Sequence, residues 1–407
     1  MSSDPTIPVK EYAQRRTKVL NGLKKGVGII HAGQRGSELH GSWRPNPDFE
    51  YLTGITDEPG AMLLLDPGAP ADNQKAVLFL RPLDPELERW DGHRDTIDSK
   101  LRSRYGIATI FRLNRLGRVL NAAARNSGSF TCLHSYAEHD QPVSPDLAMF
   151  QEVAKRIPGI QIEDGTEILP RLRSVKSRSE QACVRKACEI SQVGFENVLK
   201  TMRPGMNEFD VQETLEHAYR SNGSRGPAYN TIAGSGFNGT VLHYGANNQE
   251  LGRNDLIVID SGADYHGYAA DVTRTYPVSG RFTKRQKEIY SIVLQALEAS
   301  IKVVKAGCTF QQIDAASRKI ITKAGYGDHF IHGIGHHLGL EVHDATPKGS
   351  LKAGAIITIE PGIYIPDENL GVRIEDDVIV GPKGPVVLTR RIPKTIAAIE
   401  KAMAAGR

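Results

Sequence analysis

Leu256-Ile257-Val258-Ile259-Asp260-Ser261-Gly262-Ala263-Asp264-Tyr265-His266-Gly267-Tyr268-Ala269-Ala270-Asp271-Val272-Thr273-Arg274 is the stretch on which the reading of this chain turns. Its first four residues are an apolar run of the kind that becomes a buried strand, and the run ends on a carboxylate. Ser261 to Gly267 supply turn residues, so a hairpin would place Asp260 and Asp271 on neighbouring strands, face to face. A carboxylate at the end of a buried strand is costly unless something positive neutralises it. The setting recurs downstream: Ile356-Ile357-Thr358-Ile359 ends on Glu360, ahead of Pro361-Gly362, and Val372-Arg373-Ile374 leads to Glu375. His336, within His332-Gly333-Ile334-Gly335-His336-His337, completes the set. An isolated pair of aspartates would read as one strand end and one surface group. Three further candidates in matching settings argue against that. Four carboxylates and one imidazole carry too much negative charge for one divalent ion but suit two, so the chain reads as a two-metal hydrolase. Oxygen ligands with one imidazole favour Mn²⁺, Co²⁺ or Zn²⁺ over an ion that prefers thiolate.

The segments before these ligands predict a duplicated unit. Ser177-Arg178-Ser179-Glu180 is a capping box opening a long helix, which Met202-Arg203-Pro204-Gly205 stops. A second helix is expected from about Glu208 to Ser221, ending at Asn222-Gly223. The pattern returns with a helix from about Lys284 to Lys305-Ala306-Gly307, then another to about Lys323, ending at Ala324-Gly325. The terminating glycines match at one offset, since 307 − 205 and 325 − 223 both give 102. Strands and ligand candidates follow each copy, so a helix–helix–sheet unit occurs twice, with metals held between the halves.

Upstream of about residue 170 the pattern is mixed α/β. Ala61–Leu65 and Ala76–Leu80 read as buried strands, and Asn114–Ala124 and Pro145–Arg156 as helices. At 407 residues two domains are expected, 1–170 and 171–407. With 40% hydrophobic and 24% charged residues the composition is that of a globular enzyme. A net charge of +4 and the absence of long basic runs exclude nucleic acid and membrane surfaces as expected partners. No apolar run approaches a spanning helix, and Met1–Thr6 does not begin as a signal peptide would. Cys132, Cys183, Cys188 and Cys308 form no C-x-x-C pair, which points to a reducing, cytoplasmic location.

Other groups lie close to the ligand candidates in sequence. His332 and His343 flank His336 among glycines that leave the backbone open, whereas His337 reads as a bystander. Arg373, two residues before Glu375, would share its face and keep carboxylates ionised, unless it forms only a surface salt bridge. Tyr229 to Gly236 leads to Leu242-His243-Tyr244; no G-x-x-x-x-G-K-[ST] follows, so the glycines do not mark a nucleotide site, and His243 reads as a substrate contact.

In these motifs the chain resembles the metal-dependent proline peptidases of the pita-bread fold, aminopeptidase P and prolidase. Val258–Gly262, Ala270–Arg274, His332–His336, Gly339–Asp344, Ile359–Gly362 and Arg373–Asp376 are similar to that family's motifs in order and spacing. The resemblance implies two metals, manganese first and cobalt or zinc as alternatives, held by Asp260, Asp271, His336, Glu360 and Glu375. It implies that Glu360 is also the general base for a metal-bridging hydroxide, and that His243 and His343 contact the scissile carbonyl. His332 would line a proline pocket, with Tyr364 and Arg373 beside the metals. Methionine aminopeptidases share similar ligands but lack so large an N-terminal domain, and creatinase lacks the ligands. Arg44–Gly54, Arg81-Pro82-Leu83 and Glu88-Arg89-Trp90-Asp91-Gly92 resemble aminopeptidase P, in which the matching tryptophan reaches a neighbouring subunit's site. Trp90 as a core residue is the alternative. The resemblance thus implies a homo-oligomer, dimer or tetramer, that acts on peptides with proline second. Prolidase and a non-catalytic binding protein on the same fold are the other readings.

Overall fold

Gly28–His31, Met62–Leu65, Ala76–Leu80 and Thr109–Arg112 pair in that order into one sheet, antiparallel except for the last pair. The computed structural model describes residues 4–34 and 43–406. This sheet belongs to one of two units, Ile7–Leu172; the other is Arg173–Arg407 together with Met1–Thr6. A parallel pair, Ser129–Cys132 with Gln161–Asp164, joins the first unit's core. That core is built on Val77, Phe79, Leu120 and the stacked rings of Phe130 and Phe150, whose centroids are 4.1 Å apart. Burying each such side chain contributes roughly 1.5–3 kcal/mol.

The helix expected from Asn114 opens as a 3₁₀ turn at Leu113–Arg115 and continues as Leu116–Ser127. Trp90 lies on the short helix Pro85–Asp91 and is 85% exposed, so the core alternative for it fails. Leu87 on the same helix and Leu83 just before it are also exposed. Among the described residues, no helix is long and apolar enough to cross a membrane.

In the second unit the paired helices are Arg178–Thr201 with Glu208–Ser221 and Lys284–Val303 with Phe310–Lys323, and a further helix, Ile396–Ala405, lies at the C-terminal end. The capping box at Ser177 and Glu180 forms, and three more occur at Asn207/Asp210, Thr283/Gln286 and Thr309/Gln312. The second helix of each pair repeats at the offset of the glycines, since 310 − 208 and 323 − 221 both give 102. Each pair precedes a sheet. Leu256–Asp260 lies between Ile232–Ser235 and Thr273–Pro277, both antiparallel to it. In the second copy Asp376–Val380 lies between Ile356–Ile359 and Pro385–Val387, and Gly362–Ile365 pairs with Leu370–Arg373.

The hairpin between the aspartates is longer than a simple turn. A ribbon, Asp264–Tyr265 against Tyr268–Ala269, is closed by His266 and Gly267, both at positive φ. Asp271 therefore lies two residues before its strand, not on it. Gly262 allows the two ends to approach, because a Cβ there would fall 1.8 Å from the Ala270 carbonyl oxygen.

Candidate metal centre

The strand ladder Thr273↔Asp260 brings the end of one strand to the start of the next, so Asp260 and Asp271 project into the same space. Glu360 follows the strand Ile356–Ile359, and Glu375 occupies the bend between Leu370–Arg373 and Asp376–Val380. His336 is carried by an irregular segment that runs beside Ile356–Ile359: the Thr358 N–H donates to the His336 carbonyl and the Glu360 N–H to that of Ile334, both at 2.9 Å. His336 Nε2 lies 3.5 Å from Asp271 Oδ2 and 3.5 Å from Glu360 Oε1. Asp271, His336 and Glu375 can each offer a ligand atom within 4.8 Å of the others.

All five ligand candidates line one cavity of about 590 Å³, as do His243, His332, His343 and Arg373. The His343 ring is edge-on to His336, with centroids 4.1 Å apart. Tyr364 stands behind the wall. Its hydroxyl accepts from Arg373 Nη1 at 3.0 Å and lies 2.9 Å from His332 Nε2. Arg373 is only 3% exposed, which rules out a surface salt bridge; its Nη2 is 2.8 Å from Asp260 Oδ2. His337 packs edge-on to Phe310, away from the cavity. Trp90 belongs to the N-terminal unit.

The electrostatics are those of a site built to receive positive charge. Burial raises Glu360 to about 7, with Asp271 and Asp260 adding to the effect and His336 and Arg373 opposing it. Burial likewise raises Asp260 and pushes Glu375 well above the usual carboxylate range, the latter helped by three neighbouring carboxylates. Burial would lower His336, but its bond to Asp271 and the charges of Asp271 and Glu360 prevail and raise it to about 9. Burial also opposes the Arg373 charge, yet Tyr364, Asp260 and Glu360 raise its pKa further. Hard oxygen donors, one imidazole and a surplus of negative charge fit divalent cations.

Two residues of the site escape a reading of the sequence. The Tyr229 hydroxyl lies 2.6 Å from Asp260 Oδ1 and also reaches Asp271 Oδ1, so its one proton can go to either carboxylate. Thr273 donates to Glu375 Oε2 at 2.7 Å and accepts from Arg373 Nε at 3.1 Å. The D-x-T spacing of Asp271 and Thr273 was a signal for the second. For Tyr229 the signal was its place just before Ile232, which pairs with Asp260, but that glycine-containing strand does not read as one.

Residues 182–382 match the model of metallopeptidase family M24, and residues 12–131 that of the aminopeptidase P N-terminal domain. The chain is 33% identical to the Xaa-Pro aminopeptidase of Escherichia coli strain K12 over 98% of both chains. It is 40% identical to the Xaa-Pro dipeptidase of Pyrococcus furiosus, but over 55% of this chain and 65% of that one. A putative aminopeptidase P from Bacillus anthracis has a similar structure, with a TM-score of 0.91, 30% identity, and coverage of 98% of this chain and 99% of that one.

Proposed function

This chain belongs to metallopeptidase family M24 and is a metallo-exopeptidase that acts before proline; we propose that it works as an Xaa-Pro aminopeptidase with two divalent ions, manganese first, held by Asp260, Asp271, His336, Glu360 and Glu375. What supports the aminopeptidase reading over the dipeptidase one is the extent of the likeness. It spans nearly the whole of both chains for the former and about half of this chain for the latter. The N-terminal unit is then part of the enzyme and not an addition to it.

When bound, the metal pair supplies a water of lowered pKa and a Lewis acid for the peptide carbonyl. The chain's own residues do the rest. The Glu360 carboxylate is the general base and takes the proton of the attacking water. His243 and His343, on opposite chain segments of the cavity, meet the scissile carbonyl and the oxygen that gains charge. His332, backed by Tyr364, forms the wall beside the proline ring. Arg373 keeps Asp260 ionised and oriented, and fixes the Tyr364 hydroxyl. An amide before proline has no N–H, and its ring fixes φ, so a dedicated pocket is needed to seat it.

Leu83, Leu87 and Trp90, close in sequence and all exposed, suit a contact between copies, and we assign the protein to a cytoplasmic homo-oligomer in which Trp90 approaches substrate. The deciding assay compares dipeptides ending in proline with tripeptides carrying proline second, with Mn²⁺ present. Cleavage of both, or of tripeptides alone, is expected. Turnover of dipeptides only would make the enzyme a prolidase.

A further inference from the structure

His332 stands on a stretch with no regular structure of its own, since Phe330 to His336 is neither helix nor strand. Within it Phe330 is 3% exposed and Ile334 2%, whereas Ile331, between them and next to His332, is 61% exposed, so buried side chains hold the two ends and leave Ile331 outward. What fixes the backbone here is a side chain from the helix Phe310–Lys323. Arg318 Nη1 donates to the Phe330 carbonyl at 3.0 Å, and Nη2 donates to the His332 carbonyl at 2.7 Å. Its Nε donates to Asp314 Oδ2 at 2.6 Å, and the guanidinium lies 4.4 Å over the Phe330 ring. The planar fork therefore holds two alternate carbonyls at once, while Asp314 fixes its own orientation.

The position of the His332 backbone sets the state of its ring. The Tyr364 hydroxyl already accepts from Arg373 Nη1, so its single proton is free to go to His332 Nε2, 2.9 Å away. Nε2 is then the acceptor, and Nδ1 donates to the Gly333 carbonyl at 2.8 Å. With both nitrogens committed inside the protein, the ring presents carbon to the cavity. A carbon face is what a pyrrolidine ring packs against, and a ring turned by one rotamer would expose a polar nitrogen instead.

We propose that Arg318 is a positioning residue for proline selectivity: by clamping the carbonyls of Phe330 and His332 it holds the His332 ring on Tyr364, with its carbon face toward the substrate's second residue. This rests on the peptidase reading above. Arg318 is 41% exposed and on a helix surface, so its loss removes the clamp without opening the core.

The test uses the full-length, Mn²⁺-loaded enzyme with Arg318→Met, which keeps the stem over Phe330 and loses both donors, and Arg318→Lys, which can reach only one carbonyl. For a tripeptide with proline second, KM should rise about tenfold in Arg318→Met, the scale of one charge-assisted hydrogen bond. Its kcat should stay within about twofold, as expected when binding is lost equally from substrate and transition state. Arg318→Lys should lie between the variant and the parent. Metal content and melting temperature should not change. An unchanged KM, or a fall in kcat alone, overturns the proposal. A crystal structure of Arg318→Met gives a readout independent of activity. The His332–Tyr364 hydrogen bond should be lost; its persistence overturns the positioning role whatever the substrate is. A parent enzyme that cleaves no proline peptide overturns the proposed function instead, and leaves the structural outcome to decide the clamp.

Discussion

Thr273 and Glu375 hold each other twice: the Thr273 hydroxyl donates to Glu375 Oε2 at 2.7 Å, and the Glu375 N–H donates to the Thr273 carbonyl at 3.0 Å. These residues are separated by 102 positions, the offset that relates the two helix pairs. The next pair at that offset, Arg274 and Asp376, also meets, at 2.8 Å and fully buried. The strands that follow the two helix pairs thus meet here, and the ligand candidates converge where the copies touch. Duplication explains why acids so far apart in sequence share one cavity.

Thr273→Val tests whether that contact tunes the metal centre. The variant keeps shape and strand propensity but leaves Glu375 Oε2 without its donor and Arg373 Nε without its acceptor. Affinity for Mn²⁺ should fall roughly 10- to 100-fold, the usual effect of removing a group that orients a ligand. Titration calorimetry on metal-stripped protein measures it. An affinity equal to the parent's would leave Thr273 a strand residue only.

Glu360→Ala separates the base from a bystander. The carboxylate is proposed both as a ligand and as the proton acceptor, so turnover and metal retention should fall together. Loss of the base alone should lower kcat by roughly 100- to 10,000-fold. Steady-state rates and elemental analysis on the same preparation check both. Near-normal rates would remove Glu360 from the reaction.

The metal-free protein should lose stability as pH rises from about 4.5 to 9. Glu360 is raised from 4.5 to about 7 and His336 from 6.5 to about 9. A group whose folded pKa is raised contributes stability that is complete below its unfolded pKa and lost as pH passes the folded value. Glu360 therefore withdraws its support between about pH 4.5 and 7 and His336 between about 6.5 and 9, and burial and like charge raise Glu375 and Asp260 in the same direction. Bound Mn²⁺ should flatten the trend, because the cation replaces the protons. Melting curves with chelator and with Mn²⁺ across this range test it; parallel slopes would mean that the carboxylate cluster does not govern apo stability.

Much of this architecture is legible in sequence because its signals are local. Ser177 with Glu180 announces a helix start, glycines at 205, 223, 307 and 325 announce helix ends, and apolar runs that stop on Asp260 and Glu360 announce ligand candidates. The position of Asp271 just before its strand is less legible, since the inserted ribbon turns on His266 at positive φ, which residue type does not signal. Tyr229 and Thr273 are hydroxyl groups whose ordinary meaning is packing, and only the register beside Asp260 gives them another. Arg318 is least legible of all, because its partners are backbone carbonyls 12 and 14 residues away that any sequence would supply.

A buried ion cluster next to His343 supplies the last test. Asp344 receives Lys176 Nζ at 2.8 Å and also Arg173, and the Lys176 side chain is 0% exposed. Burial would raise Asp344, but the two cations outweigh it and hold its carboxyl below the usual range. Its contribution is therefore present above the unfolded carboxylate pKa and lost only in acid, outside the window in which Glu360 and His336 act. Asp344→Ala strands a buried ammonium and should cost about 3–5 kcal/mol. Lys176→Met combined with Asp344→Leu removes the ammonium together with the carboxylate and leaves Arg173 its pair with Glu341 at 2.6 Å, so it should recover much of that loss. Urea unfolding at neutral pH, followed by circular dichroism, gives the comparison. A double variant no more stable than Asp344→Ala would show that the cluster acts through Arg173 and chain geometry, and not through the buried Lys176 charge.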